Sequence, residues 1–214
     1  CGTLKLKSNL DTIIYNLIVD SLFLGEYQMG QTILLDEFAN KYEVSRTPVI
    51  QAVKLLVNDG ILESMSNGRV MVPVFDREQM RKICDVRLLM EEYAIKIVVA
   101  RGEQETEFFN TLEKLAGETT KAFLNDEKLE FQKRDLNFHS TLIAECGNEY
   151  LTAEYKRIQC KFIVANYLIL PLEKRNFKDA ARSHEELVRL IKANDLEGSL
   201  KLIKEHIYSY SAPF

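Results

Sequence analysis

Glu43-Val44-Ser45-Arg46-Thr47-Pro48-Val49-Ile50-Gln51-Ala52 decides how the first third of this chain folds. Ser45 is a good helix N-cap. Pro48 falls in the first turn of the helix that follows, where its missing N–H is harmless, and Gly60 supplies the stop. Upstream, Glu43-Val44 reads as a tight turn after a short helix from about Leu35 to Tyr42. Further back, Leu10, Ile13, Ile14, Leu17, Ile18 and Leu22 recur at i, i+3, i+4 spacing until Gly25. Downstream, Ile61-Leu62-Glu63 and Val70-Met71-Val72 flank Asn67-Gly68, a strong hairpin signal. Helix, helix, tight turn, helix and two-stranded hairpin is the order of a winged helix-turn-helix.

Glycine and proline crowd the chain before residue 75 and thin out after it. Periodic segments then run roughly over 76–101, 103–124, 126–145, 148–169, 173–193 and 196–210, broken by short polar stretches such as Cys146-Gly147-Asn148 and Asn194-Asp195. Short breaks make consecutive helices antiparallel neighbours. The expected protein is mainly α: a winged helix-turn-helix over 1–75, then an all-α antiparallel helical bundle over 76–214.

Composition narrows the partners. Lys plus Arg number 28 against 32 Asp plus Glu, a net charge of −4, which excludes nucleic-acid binding by bulk positive charge. Residues 1–75 hold six cations against eight acids, so that module is itself at −2. No apolar run approaches the roughly 20 residues a membrane helix needs, and no signal-peptide pattern is visible. Cys1, Cys84, Cys146 and Cys160 form no C-x-x-C pair, which fits reduced thiols in a cytoplasmic protein rather than a disulfide framework.

The second helix of a helix-turn-helix meets base edges with its N-terminal residues. Here these are Ser45, Arg46 and Thr47, with Gly68 and Arg69 at the hairpin tip where a wing reaches the adjacent groove or backbone. So few cations per chain imply a homodimer on double-stranded DNA whose half-sites are related by two-fold symmetry.

All three histidines lie in the helical module. Asp135 and His139 are i, i+4 on one helix, and His184 and His206 are equidistant from the break at Asp195, so an antiparallel pair sets them at one height. Three imidazoles and a carboxylate inside a bundle suit a divalent Zn, Ni, Mn or Fe ion, with Zn or Ni first. An open metal position also suits a metal-dependent enzyme acting on a small organic acid. However, His184-Glu185-Glu186-Leu187-Val188 lacks the second His of H-E-x-x-H, and no general base is evident, so the expectation is a non-enzyme. Arg87, among apolar neighbours, either pairs with Glu91, Glu92 or an acidic group on another helix, or presents a fork to the carboxylate of a small effector.

With these residues in view, the chain resembles a GntR-family transcription regulator of the FadR type with an FCD C-terminal domain. Val44-Ser45-Arg46-Thr47-Pro48-Val49 matches the family's V-S-R-T-P-V, Gly25-x-Tyr27-x-x-Gly30 its G-x-Y-x-x-G, and Asp59-Gly60-Ile61-Leu62 its [DE]-G-[LI]-[LV]. Val86-Arg87-x-x-Met90-Glu91 matches V-R-x-x-[LI]-E, and Asp135-x-x-Phe138-His139 matches D-x-x-F-H. The resemblance implies a homodimeric, metabolite-responsive regulator, often a repressor. Its metal would sit on Asp135, His139, His184 and His206, with a carboxylate effector near Arg87. Two departures matter. Ile50 stands where the family's V-R-E-A-L has Arg, which leaves a sensor with weakened DNA binding as an alternative. Glu43 replaces the usual turn Gly, and a left-handed conformation there would cost about 1–2 kcal/mol.

Overall fold

The computed structural model describes residues 2–102, 107–169 and 178–210. In chain order the elements are α1 (Gly2–Phe23), β1 (Thr32–Ile33), α2 (Leu35–Lys41), α3 (Arg46–Asn58), β2 (Glu63–Ser64), β3 (Val70–Met71), α4 (Arg77–Arg101), α5 (Glu107–Leu124), α6 (Lys128–Glu145), α7 (Glu149–Ile169), α8 (Lys178–Lys192) and α9 (Leu196–Tyr210). The class is mainly α, with a helix-turn-helix followed by a helical bundle. The expected starts of two bundle helices, at 103 and 173, lie outside the described residues, as does Cys1.

The chain divides into two compact units, one of Cys1–Asp76 with Ile163–Leu172, the other of Arg77–Phe162 with Glu173–Phe214. In the first, α1 buries Ile14, Ile18, Val19 and Leu22 and packs on α3, which buries Val49, Ala52, Val53 and Leu56. Leu10 and Ile13, part of the expected apolar stripe, stay exposed at 37% and 48%. The Tyr15 hydroxyl donates to Asp59 Oδ2 at 2.9 Å, tying α1 to the end of α3. Ser45 occupies the N-cap position with φ −69° and ψ 158°, yet its side chain makes no capping hydrogen bond.

The wing differs from the sequence reading in two ways. It is a three-stranded antiparallel sheet of order β1-β3-β2, with Thr32 opposite Met71 and Glu63 opposite Met71 on the other side. A two-residue strand such as β1 is too short to show an alternating pattern. Ile61 and Leu62 precede the strand and are buried in the core instead, because both their amides bond the Leu56 carbonyl at the end of α3. That turn closes through Met65 N–H to the Arg69 carbonyl at 2.8 Å, with Gly68 at φ +76° and Arg69 N–H on Asn67 Oδ1 at 3.0 Å.

In the second unit α5 packs on α6 and α8, α9 on α4 and α8, and α4 on α6. Leu112, Ala116, Phe131, Phe138, Leu142, Leu187, Ile191, Ile203 and Ile207 fill its interior. The break at Asn194 turns left-handed, φ +55°, and brings α9 back along α8.

Glu43 does adopt the left-handed conformation, φ +53°, where no side chain is favoured. Glu43→Gly should therefore stabilise the first unit by about 0.5–1 kcal/mol, the relief of left-handed strain less glycine's greater unfolded-state entropy. Urea denaturation of the two proteins measures the difference, and a destabilised variant would show that Glu43 makes a compensating contact.

Candidate functional site

The buried polar residues of the second unit gather at one place. Asp135 and His139 come from α6, His184 from α8 and His206 from α9, and one ligand atom from each lies within 4.8 Å of all the others. His139 Nε2 is 3.0 Å from His206 Nε2 and 3.3 Å from His184 Nε2. Asp135 Oδ1 is 3.2 Å from His184 Nε2 and 3.7 Å from His139 Nε2. All four side chains are buried.

The other ring nitrogens decide what these atoms can do. Thr119 donates its hydroxyl proton to the Ala116 carbonyl at 2.6 Å, so at 3.2 Å from His184 Nδ1 it acts only as acceptor. Ser183 likewise donates to the Ala180 carbonyl at 2.8 Å and accepts at 2.6 Å from His206 Nδ1. His139 Nδ1 faces Glu91 Oε2 at 2.7 Å, and a carboxylate only accepts. Each Nδ1 therefore carries a proton, and each Nε2 turns its lone pair, when neutral, toward the other two and toward Asp135. Lone pairs this close repel unless a proton on His139 Nε2 or a bound cation lies among them. The donor set, three imidazole nitrogens and one carboxylate oxygen, fits a borderline divalent ion.

Electrostatics point the same way. Burial pushes the His184 pKa down and the His206 pKa well below its usual value, so both are neutral at pH 7. Burial works against the charged forms of His139 and Asp135 too, but is outweighed. The Glu91 carboxylate raises His139, and the neighbouring imidazoles hold Asp135 well below the carboxylate range.

Arg87, on α4, is fully buried and gives its Nε–H to Glu91 Oε1 at 2.7 Å, the expected helical partner. Its guanidinium lies 4.3 Å over the Phe162 ring, and neither Nη1 nor Nη2 has a hydrogen-bond partner. Sequence reasoning missed Thr119, Ser183 and Tyr155. A hydroxyl on a helix is too common to signal that it orients an imidazole on a neighbouring helix.

In the first unit Ser45, Arg46 and Thr47 stand exposed at the start of α3, and Gly68 and Arg69 stand exposed at the hairpin tip. Ser45, Thr47 and Gln51 line a groove of about 340 Å³ with Leu10, Asp11 and Pro48. Arg46 Nε is 3.3 Å from Asp36 Oδ1 of α2, a contact the sequence did not reveal. Gln51 and Lys54 share the exposed face of α3, which the i+4 spacing from Thr47 and from Ile50 could have disclosed, and Ile50 is half-buried.

The description "Bacterial regulatory proteins, gntR family" matches residues 10–72, and "FCD domain" matches residues 82–209. The HTH-type transcriptional repressor GlaR of Escherichia coli strain K12 is 22% identical over 204 residues, 90% of each chain. The uncharacterized HTH-type transcriptional regulator YdhC of Bacillus subtilis strain 168 is 28% identical over 138 residues, and the match spans 61% of that relative. Among solved structures, E. coli McbR/YncC shares the fold with a TM-score of 0.73 at 18% identity over 94% of both chains.

The histidine pKa directions set a pH dependence for chelator-treated protein. His184 and His206 have folded values below the unfolded one, so on acidification the unfolded state takes up protons that the folded state refuses. His139, raised, is already protonated there and adds no further loss. Stability should fall from about pH 6.5 toward pH 5 by up to about 1.4 kcal/mol per pH unit for each of the two. Urea midpoints across that range measure it; a flat profile would mean the imidazoles titrate freely.

Proposed function

Because the chain belongs to the GntR family of bacterial regulatory proteins, with an FCD domain after its helix-turn-helix, and these are DNA-binding transcription regulators rather than enzymes, we propose that it is a repressor controlled by a metal-bound small carboxylate. The observation that carries the reading is the buried cluster of three Nε2 atoms and Asp135, linked through Glu91 to an arginine with two unpaired Nη groups.

Asp135, His139, His184 and His206 would hold the ion, which would supply a Lewis-acidic position for an anionic ligand. Charge balance favours such a ligand. A divalent ion and Arg87 bring three positive charges against the two negative ones of Glu91 and Asp135, and an unbalanced buried charge is costly. A carboxylate that meets the Arg87 fork satisfies both the charge and the orphaned donors.

On the DNA side, Ser45, Arg46 and Thr47 would meet bases and phosphates in the major groove, and Gly68 and Arg69 would track the backbone. Two copies are needed to gather enough contacts from a module at −2, so the partner is an operator with two-fold related half-sites. Val86, Leu89 and Tyr93, exposed at 40%, 69% and 45% along one face of α4, support self-association. The effector would shift the dimer between arrangements of different operator affinity. Its place of work would be the cytoplasm, and among the described residues no helix is long and apolar enough to cross a membrane. Family membership sets aside the metal-dependent enzyme considered from the sequence.

Arg46→Ala should weaken binding to the DNA upstream of its own coding region by about 1–3 kcal/mol and leave metal content intact. Unchanged affinity in a gel-shift titration removes Arg46 from the interface, and failure of the unaltered protein to shift any such fragment favours a sensor that no longer reads DNA. The double variant His184→Ala, His206→Ala should lose the metal detected by elemental analysis, and an unchanged stoichiometry would remove the site.

A further inference from the structure

Glu91 is fully buried and uses both carboxylate oxygens. Oε1 accepts from Arg87 Nε–H at 2.7 Å and from the Tyr155 hydroxyl at 2.7 Å, while Oε2 accepts from His139 Nδ1–H at 2.7 Å. We propose that Glu91 is the positioning residue of the site, a single carboxylate that holds His139 in the tautomer able to ligate a cation and aims the Arg87 fork at an anion. The proposal rests on the reading that this cluster holds a metal.

The arrangement is selective in what it leaves open. An Arg–carboxylate pair usually engages two parallel N–H groups. Here Glu91 takes Nε alone, because its second oxygen is committed to His139. Phe162 closes one face of the guanidinium, so its plane is fixed while Nη1 and Nη2 stay buried and unpaired. Two unpaired buried donors cost stability, and their presence beside a cation cluster is what a site for an external carboxylate requires. Tyr155, from α7, donates to Oε1 and stops Glu91 from rotating to grip Arg87 with both oxygens.

No other side chain does both tasks. A glutamine that keeps its oxygen toward Arg87 and Tyr155 turns its NH₂ toward His139 Nδ1. That nitrogen must then accept, and the ring proton moves to Nε2, where it blocks the ligand position. Aspartate keeps the charge but is one methylene too short to span Arg87 and His139 together.

The test is the Ni²⁺ affinity of the full chain, measured by competition with a chromophoric chelator. Glu91→Gln and Glu91→Ala should each bind Ni²⁺ about 10- to 100-fold more weakly than the unaltered protein. Sodium formate, which carries the missing carboxylate, should raise the Ni²⁺ affinity of Glu91→Ala by a larger factor than that of the unaltered protein, where it can reach only the open position beside Arg87. A role confined to packing would lower thermal stability with a formate response no larger than that of the unaltered protein. If neither variant keeps a native near-ultraviolet circular dichroism spectrum, Glu91→Asp tests the same bridge, with a loss of about tenfold expected. Ni²⁺ affinity within about threefold of the unaltered protein in any folded variant, or a Glu91→Ala affinity indifferent to formate, overturns the proposal. Absence of Ni²⁺ binding by the unaltered protein would instead overturn the metal reading itself.

Discussion

Three buried imidazoles with their Nδ1 protons already committed have one way left to face each other, and that constraint organises the second unit. Glu91, Thr119 and Ser183 each accept one of those protons, so the Nε2 atoms converge at 3.0 and 3.3 Å with a carboxylate beside them. Such an assembly needs a proton or a cation at its centre. Every buried polar atom in it must be answered by another, and a half-satisfied network is worse than an apolar core. The cluster therefore makes physical sense as a cation site whose ligands are oriented in advance by groups outside the coordination sphere.

The site and the bundle are for this reason one object. Arg87 and Glu91 come from α4, Thr119 from α5, Asp135 and His139 from α6, Tyr155 from α7, Ser183 and His184 from α8, and His206 from α9. A shift of any of these helices moves one of the clustered side chains or its orienting partner, so an ion held there would couple to every helix that contributes. That is the property a ligand-responsive domain requires, since a ligand can shift an equilibrium only by as much as it prefers one arrangement to the other.

The DNA-binding unit solves the opposite problem with few charges. A module at −2 cannot hold DNA by its overall field, so a small number of placed groups carry the contact. The Ser45 side chain makes no capping bond and is left available. Asp36, 3.3 Å from Arg46 Nε, restricts the arginine at which direct readout would begin.

Periodicity, caps and breaks determined the order of elements, because these are local signals that each helix carries in its own residues. They located every bundle helix to within a few residues, apart from those starts that lie outside the described residues, and the i, i+4 pair Asp135 and His139 and the equal distances of His184 and His206 from Asp195 were legible in the same way. Tertiary structure alone decided the rest. Strand β1 is two residues long and exists only through its pairing with β3. Thr119 meets His184 across 65 positions of sequence, and Glu91 meets His139 across 48. The sequence by itself thus determined which residues could ligate a cation. Only the packing of five helices decided which nitrogen of each imidazole is offered, because tautomer choice depends on a hydrogen-bond partner, and each of the three partners lies on another helix.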